Sequence, residues 1–136
     1  MRALAGVLTV VALLSPPALS AQAPATSAES PKPELSALAG AWRVDLRPAP
    51  DADPYFQRLV VAITDGEVEG SFYDTAFRDF QANADWGTLH FAFVTEDGSG
   101  IYHTSGRLVE GRLEGTTHSL GRGFLAAWTA ERVEDP

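Results

Sequence analysis

The stretch at residues 59–72, LVVAITDGEVEGSF, decides the fold class because it reads as two strands joined by a tight turn. Large aliphatic side chains recur at every second position from Leu59 to Ile63, and the same period continues after the turn to Phe72. Alternate side chains of a strand point to opposite faces, so this period sets one apolar face against a core. Asp65-Gly66 is typical of two-residue hairpin turns, whose central residues adopt positive φ. The stretch predicts an antiparallel β-hairpin.

The two-residue period recurs along the rest of the chain. Further strands are predicted at residues 42–46, 89–94, 101–109, 113–119 and 124–130, with glycine-marked turns between several of them. Residues 77–85, FRDFQANAD, alternate weakly and predict either a short strand or a loop with a turn of helix. The count is therefore seven or eight strands, and no segment after the first 34 residues carries a helical stripe of apolar side chains.

These strands predict an all-β fold, an antiparallel up-and-down β-barrel of seven or eight strands. An open meander would expose two edge strands to aggregation, and closure into a barrel removes both edges. Gly70, Gly106 and Gly115 lie within predicted strands, where glycine permits the sharp bends of a small barrel. A two-sheet β-sandwich is the alternative, since strands of this number and length also serve that fold.

The first residues predict export. Arg2 precedes an uncharged apolar run at residues 4–14, followed by Ser15-Pro16-Pro17 and small residues, so residues 1–20 are predicted to be a signal peptide. The apolar run is too short to anchor the mature protein in a membrane. Residues 21–34, rich in Pro, Ala and Ser, predict a flexible tether, and residues 35–136 a single β-barrel domain. We expect a soluble periplasmic or extracellular protein.

Charge and cysteine content exclude several kinds of partner and site. Cleavage after residue 20 removes Arg2 and leaves nine of the 10 Lys and Arg residues against 18 Asp and Glu residues. This acidic balance repels nucleic acid and anionic lipid, which bind clustered Lys and Arg, so neither is an expected partner. The chain has no Cys, which excludes disulfides, thiol chemistry and cysteine-bound metals.

Gly40-Ala41-Trp42, at the start of the first predicted strand, resembles the G-x-W opening of lipocalins and avidin-type proteins, together called calycins. The hairpin at residues 65–75 is similar to the third-strand region of avidin-type barrels. The resemblance implies a small barrel in which Trp42 plugs one end beneath an arginine, for which Arg132 is the candidate. It also implies lipocalin-like binding of a small molecule.

The resemblance does not extend to biotin binding, because the residues that follow Trp42, RVDL, depart from the avidin pattern. The chain also has only three Trp residues, too few for the tryptophan-rich wall of avidins. Residues 115–131, GTTHSLGRGFLAAWTAE, resemble the end of an uncharacterised family of small exported bacterial proteins. That second resemblance brings no known activity.

The predicted inward face is mostly apolar. It consists of Val44, Leu46, Val61, Ile63, Phe72, Leu89, Phe91, Phe93, Leu108, Phe124 and Trp128. In a barrel of eight short strands such side chains either fill the interior or leave space for one small ligand. If space remains at one end, the candidate ligand contacts are Tyr73, Phe91, Phe93, Tyr102, Thr104, Thr117, His118, Arg122 and Trp128.

Aromatic residues near predicted turns raise further expectations. The connection at residues 47–57, RPAPDADPYFQ, is long for a hairpin loop. It is either a lid over the barrel mouth, with Tyr55 or Phe56 folded in, or a solvated loop. Trp86 lies beside turn residues, and we expect it to cover one end of the barrel.

His118 and Ser119 are adjacent, but strand alternation sets them on opposite faces, so no catalytic residue is assigned. His118 and Arg122 either brace the following turn or serve as polar anchors for an acidic ligand at the barrel mouth. His90 and His103 lie on other predicted strands, without the H-x-H or H-x-x-x-H spacing that fixes two metal ligands locally. Neither a metal site nor a cofactor is predicted.

These observations favour a secreted or periplasmic barrel that binds a small apolar or amphipathic molecule, and they favour a binding protein over an enzyme. One alternative is a structural or protein-interaction barrel with a filled core. Another is an isomerase or hydrolase that uses a His and an Asp at the barrel mouth. The free volume inside the barrel distinguishes the first two hypotheses.

Overall fold

Eight antiparallel strands form a closed barrel in the computed structural model, which describes residues 34–134. The strands are β1 (Gly40–Asp45), β2 (Phe56–Thr64), β3 (Glu67–Phe72), β4 (Thr75–Asn83), β5 (His90–Asp97), β6 (Gly100–Val109), β7 (Arg112–Ser119) and β8 (Phe124–Val133). One 3₁₀ turn (Leu35–Leu38) precedes β1, and a second (Leu120–Arg122) connects β7 to β8.

Pairing between β1 and β8 closes the ring. Its register runs from Ala41 opposite Val133 to Asp45 opposite Thr129. All remaining pairings join strands that are consecutive in the sequence. Closure pairs both edges of the meander, so the backbone groups that an open sheet would expose are satisfied within the barrel. The predicted up-and-down barrel is confirmed, and the sandwich alternative is wrong.

The weakly alternating segment at residues 77–85 belongs mostly to β4, which makes the strand count eight. The register between β4 and β5 shifts between Arg78 and Gln81, and Asp79 there has a φ of 57°. This is a β-bulge, which inserts residues and interrupts the alternation of side chains. Because of it, Phe77 and Phe80 both pack against the core although they are three positions apart.

One end of the barrel is closed by Trp42. Its ring is fully buried, and its Nε1 donates a hydrogen bond of 2.9 Å to the carbonyl of Leu38 in the first 3₁₀ turn. The guanidinium of Arg132 lies 4.2 Å from the centroid of the Trp42 ring. The same guanidinium donates hydrogen bonds of 2.6 Å to the carbonyls of Ala37 and Ala39. The predicted plug and its stacked arginine are both confirmed.

The core lies between this plug and the middle of the barrel. Most of the predicted inward face is buried, and Leu59 and Leu113 join it; the buried apolar residues are Leu38, Trp42, Val44, Leu59, Val61, Phe72, Leu89, Phe91, Phe93, Leu113, Trp128 and Ala130. Leu46, Ile63 and Leu108 are partly buried against this cluster. Phe124 differs, with 42% of its surface exposed, because it lies at the first position of β8 on the open rim.

The expectation that Trp86 covers a barrel end is wrong. Its side chain is 85% exposed in the connection between β4 and β5. In an up-and-down barrel that connection lies at the end opposite the β1–β2 connection, so Trp86 does not share a surface patch with Tyr55 and Phe56. The Trp86 side chain is therefore not part of the core. An indole exposed in this way either takes part in binding or has no effect on folding.

The predicted signal peptide, and all of the predicted tether except Glu34, lie outside the described residues. Among the described residues, the first secondary-structure element begins at Leu35, directly before the plug. Among residues 34–134, none of the helical turns has the length and apolar character that crossing a membrane requires.

Arg132→Ala is expected to lower the free energy of unfolding by about 2 kcal/mol, because two charge-assisted hydrogen bonds and a cation–π contact are lost. Arg107→Ala, which removes an exposed ion pair with Glu114, is the matched control and should cost at most about 1 kcal/mol. Urea unfolding followed by tryptophan fluorescence measures both. Equal effects of the two substitutions would contradict the stabilising role of Arg132.

Candidate functional site

The end of the barrel opposite the Trp42 plug is open and contains a cavity of about 670 Å³, which we call the mouth cavity. Four chain connections surround it: the long β1–β2 loop, the β3–β4 and β5–β6 turns, and the second 3₁₀ turn. Its lining combines apolar side chains with hydroxyl groups and two arginines; it consists of Leu46, Arg47, Pro48, Tyr55, Phe72, Tyr73, Thr75, Thr95, Asp97, Ser99, Tyr102, Thr117, Arg122, Phe124, Leu125, Ala126 and Ala127.

The floor of the mouth cavity is a closed hydrogen-bond network centred on Thr117. The hydroxyl groups of Thr104 and Thr117 lie 2.9 Å apart, and Nε1 of Trp128 donates to Oγ1 of Thr117 at 3.0 Å. All three side chains are buried. Within residues 34–134 no buried side-chain nitrogen or oxygen lacks a partner. The hydrogen bonds of the floor are therefore satisfied within the protein.

Tyr55 and Tyr73 form one side of the rim. Their hydroxyl groups are hydrogen-bonded to each other, and their rings meet edge to face with centroids 6.2 Å apart. The hydrogen bond with Tyr55, followed by desolvation, raises the pKa of Tyr73 above its ordinary value, as expected if the Tyr73 hydroxyl is the donor. The carbonyl of Tyr55 accepts a hydrogen bond of 2.8 Å from the backbone of Leu46, which ties this end of the long loop to β1.

Tyr73 stands at the rim because of its turn. Tyr73 and Asp74 have φ angles of 54° and 58°, as the two central residues of a type I′ hairpin turn do. Asp65-Gly66 and Glu110-Gly111 form the same kind of turn with a glycine at the second position, which the Tyr73-Asp74 turn lacks. A tyrosine in this left-handed region costs about 1 kcal/mol or more, and such strain concentrates at functional sites.

A chain of hydrogen bonds joins Arg122, Tyr102, Ser99 and Asp97 on another side of the rim. Nη1 of Arg122 donates to the hydroxyl of Tyr102, which lies 2.8 Å from Oγ of Ser99, and Ser99 in turn bonds to Oδ1 of Asp97. Arginine can only donate and a carboxylate can only accept. The single proton of Ser99 therefore goes to Asp97, and Tyr102 must donate to Ser99.

Asp97 is the fixed terminus of this chain. Its Oδ1 also accepts a hydrogen bond of 2.7 Å from the backbone N–H of Ser99. The hydroxyl of Ser99, then the backbone groups of Ser99 and Gly100, hold the pKa of Asp97 below its ordinary value. A carboxylate that is charged and already satisfied by donors orients Ser99, and through Ser99 it orients Tyr102.

Gly100 makes room for Arg122. Gly100 has a φ of 145°, and a Cβ atom there would lie 3.2 Å from Cδ of Arg122. The ring of Tyr102 meets Phe124 edge to face with centroids 5.8 Å apart, and the guanidinium of Arg122 lies 5.8 Å from the centroid of the Tyr102 ring. The arginine stem is thus packed over Gly100 with its charged end beside Tyr102.

The structure brings some of the predicted contacts to the cavity and not others. Tyr73, Tyr102, Thr117 and Arg122 line it. The remaining inward-facing candidates lie in the layers beneath or bonded to the floor; they are Phe91, Phe93, Thr104 and Trp128. These four side chains support the cavity wall without lining its mouth.

His118, predicted either to brace the turn or to anchor a ligand, does not line the mouth cavity. His118 pairs with His103 across β6 and β7, and the two rings stack with centroids 5.5 Å apart. Thr117 and Ser119, on either side of His118, are buried inside the barrel, so His118 points outward. The predicted opposite placement of His118 and Ser119 is confirmed.

The two aromatic residues at the end of the long loop lie on different sides of the barrel wall. Tyr55 lines the mouth cavity, whereas Phe56 lies on the outside with the guanidinium of Arg43 at 4.6 Å from its ring centroid. Pro48 also lines the cavity. The two ends of the loop therefore border the mouth, as the lid interpretation expects for Tyr55.

Several lining residues escaped the sequence analysis. Thr95 and Asp97 continue the inward positions of Phe91 and Phe93 along β5, so extending that alternation would have found them. Ser99 lies in a turn, where no period places a side chain. Its role follows from its hydrogen bonds to Asp97 and Tyr102, which the sequence does not reveal.

A second depression, of about 650 Å³, lies outside the barrel between the long loop and the outer faces of β1 and β8. Its lining includes Arg43 and Arg112, which both form ion pairs with Glu131. These two cations are therefore already paired with a carboxylate across exposed strands.

Catalysis by histidine has no geometric support. His103 and His118 stack on the outer face, and His90 precedes the inward-facing Phe91, which places His90 outward as well. None of these rings faces Asp97 in the mouth cavity. Among residues 34–134, no group of three or more His, Cys, Asp or Glu side chains is arranged to hold a metal ion.

Comparison with known proteins finds no match, either among protein-family models or among curated proteins. The closed eight-stranded antiparallel barrel is compatible with a calycin-like architecture.

Thr117→Val is expected to lower the free energy of unfolding by about 2 kcal/mol, because it leaves the indole N–H of Trp128 and the hydroxyl of Thr104 without their shared partner. Thr116→Val, at the neighbouring outward position of β7, is the isosteric control and should change stability by at most about 0.5 kcal/mol. Thermal unfolding measures both variants. A neutral Thr117→Val would show that the floor does not depend on the network.

Ser99→Ala is expected to raise the pKa of Asp97 toward its ordinary value, because the strongest hydrogen bond to its charged form is lost. A lowered pKa in the folded protein stabilises it above the unfolded-state pKa, and this contribution disappears as pH falls through the folded-state value. Ser99→Ala should therefore reduce the part of the folding stability that is lost as pH falls through the pKa of Asp97. Carboxyl carbon NMR titration measures the shift, with Asp45 as the internal control because Arg47 lowers its pKa. An unchanged Asp97 titration would contradict the assigned hydrogen-bond chain.

Proposed function

We propose that this protein binds a small, partly apolar molecule in the mouth cavity. The observation that carries the proposal is the cavity itself, whose volume of about 670 Å³ is that of typical ligand sites. The layers beneath it are filled by Phe91, Phe93 and Leu113, so the free space is confined to one end of the barrel. A concave site with an apolar body and a polar rim suits one molecule of modest size.

The side chains that line the cavity indicate which chemical groups such a molecule carries. Leu46, Phe72 and Phe124 supply apolar surface, and the hydroxyl groups of Thr75 and Thr95 lie among them. Apolar walls contribute most of the binding free energy of a small ligand, and a few polar groups set its orientation. The ligand therefore has a hydrophobic body that enters between these side chains and polar atoms that remain at the rim.

The export signal predicted at residues 1–20 sets this binding outside the cytoplasm. In that setting a binding barrel serves to sequester, carry or sense a ligand. The filled-barrel hypothesis has less support, because the cavity occupies the end that such a protein would pack with side chains.

Phenylnaphthylamine, an uncharged dye whose fluorescence rises in apolar sites, is the probe for this proposal. Ala126 faces the cavity opposite Thr117, and Ala126→Trp should fill the cavity and weaken dye binding by about tenfold or more. Ala62 is exposed on the outer side of β2, so Ala62→Trp is the matched control and should leave the affinity unchanged. Both titrations are made in a Trp86→Phe background, which removes an exposed fluorophore.

Two results would overturn the proposal: no dye binding to the parent protein, or equal affinities of the Ala126→Trp and Ala62→Trp variants. Ala126→Leu fills less of the cavity and serves if the tryptophan variant fails to fold. Thermal unfolding of each variant identifies such a failure. A partial loss of affinity with leucine and a larger loss with tryptophan would support binding inside the mouth.

A further inference from the structure

We infer that the ligand is an organic anion, with an apolar body in the mouth cavity and an acidic group bound to Arg122. This inference rests on the proposed function and adds the chemical class of the ligand. Three observations support it. The Arg122 guanidinium has no carboxylate partner among the described residues, the carboxylate of Asp97 bonds to other donors, and the hydroxyl groups of Tyr55 and Tyr73 add a donor at the rim.

Arg122 differs from most arginines of this protein in having no carboxylate partner among the described residues. Arg43, Arg47, Arg78, Arg107 and Arg112 each form an ion pair with Asp or Glu. Within residues 34–134, the side chain of Arg122 donates one hydrogen bond, to the neutral hydroxyl of Tyr102. A guanidinium carries several further N–H donors in a planar fork that fits a carboxylate or sulfonate.

Asp97 positions Arg122 without pairing with it. The two charges influence each other electrostatically, since Arg122 contributes to the lowered pKa of Asp97. The hydrogen bonds of the carboxylate, however, come from the hydroxyl and backbone of Ser99 and the backbone of Gly100. Tyr102 and Ser99 connect Asp97 to the arginine, so the guanidinium is held at the mouth with its remaining donors available.

The opposite side of the rim adds a further donor. The hydroxyl groups of Tyr55 and Tyr73 share one hydrogen bond, in which one proton is used and the other remains free to donate. Because the raised pKa of Tyr73 keeps its phenol uncharged, no phenolate repels an incoming anion. Available donors and one unpaired cation surround an apolar cavity, which is the complement of an amphipathic acid.

The overall negative charge of the chain opposes the binding of any anion. The chain carries 18 acidic against 10 basic side chains, so its general field repels anions. An anionic ligand that binds more tightly than its neutral analogue must therefore gain from a local contact. Anilinonaphthalene sulfonate and phenylnaphthylamine provide that comparison, because they share the same rings and differ in the sulfonate group.

We expect the sulfonate dye to bind about tenfold more tightly than the neutral dye, the gain of a charge-assisted hydrogen-bonded pair. Arg122→Gln should remove this preference by weakening only the sulfonate dye. Arg107→Gln makes the same change of charge on the outer face of β6, where Arg107 pairs with Glu114, and should preserve the preference. The Ala126→Trp variant should weaken both dyes, which shows that they bind in the mouth cavity.

The outcomes separate this inference from the proposed function. If neither dye binds, or if Ala126→Trp affects neither, the proposed function fails. If both dyes bind in the cavity with equal affinity, or if Arg122→Gln and Arg107→Gln have the same effect, binding stands and the anionic ligand is refuted. A preference for sulfonate that disappears only with Arg122→Gln establishes the inference.

Discussion

The contact of Arg132 with Trp42 is the constraint on which the interior of this barrel depends. It joins the last strand, the first strand and the 3₁₀ turn before it, since Arg132 stacks on the indole and bonds to Ala37 and Ala39. The indole in turn bonds to Leu38. With this end sealed and the middle packed, free space remains at the opposite end, where four connections meet. The site is thus a consequence of how the other end is closed.

The mouth cavity combines parts of different rigidity. Thr95, Tyr102 and Thr117 stand on paired strands, so the ladder of backbone hydrogen bonds fixes their positions. Arg122 and Ser99 lie in connections between strands. Both side chains hydrogen-bond to the hydroxyl of Tyr102, and the side chain of Arg122 packs over Gly100. The strands therefore determine the shape of the cavity. The side chains in the connections supply the polar groups at its rim.

The sequence predicted the fold and most of the core because strand alternation and hairpin turns are local signals. It predicted the partner of Trp42 through the resemblance to calycins. It predicted Tyr73, Tyr102, Thr117 and Arg122 as ligand contacts, and all four line the cavity. It failed for Trp86, because a turn residue has no period that tells covered from exposed.

The position of His118 outside the cavity has a different cause. Alternation along one strand separates two faces, but it does not say which face is inside near a strand end. The inside face follows from the inward Leu113 and the unbroken register of β7 with its neighbours. Counting from that anchor sends Thr117 and Ser119 inward and His118 outward.

The sequence by itself determined seven of the eight strands, the apolar inner face and the tight turns, because each depends on residues within a few positions of one another. Only the tertiary structure decided which distant residues meet at the rim. Asp97 and Tyr102 lie in the β5–β6 hairpin, and Arg122, in the connection between β7 and β8, meets Tyr102 from a distant part of the chain. Their chain of donors depends on register and turn geometry across the barrel, which no local pattern records.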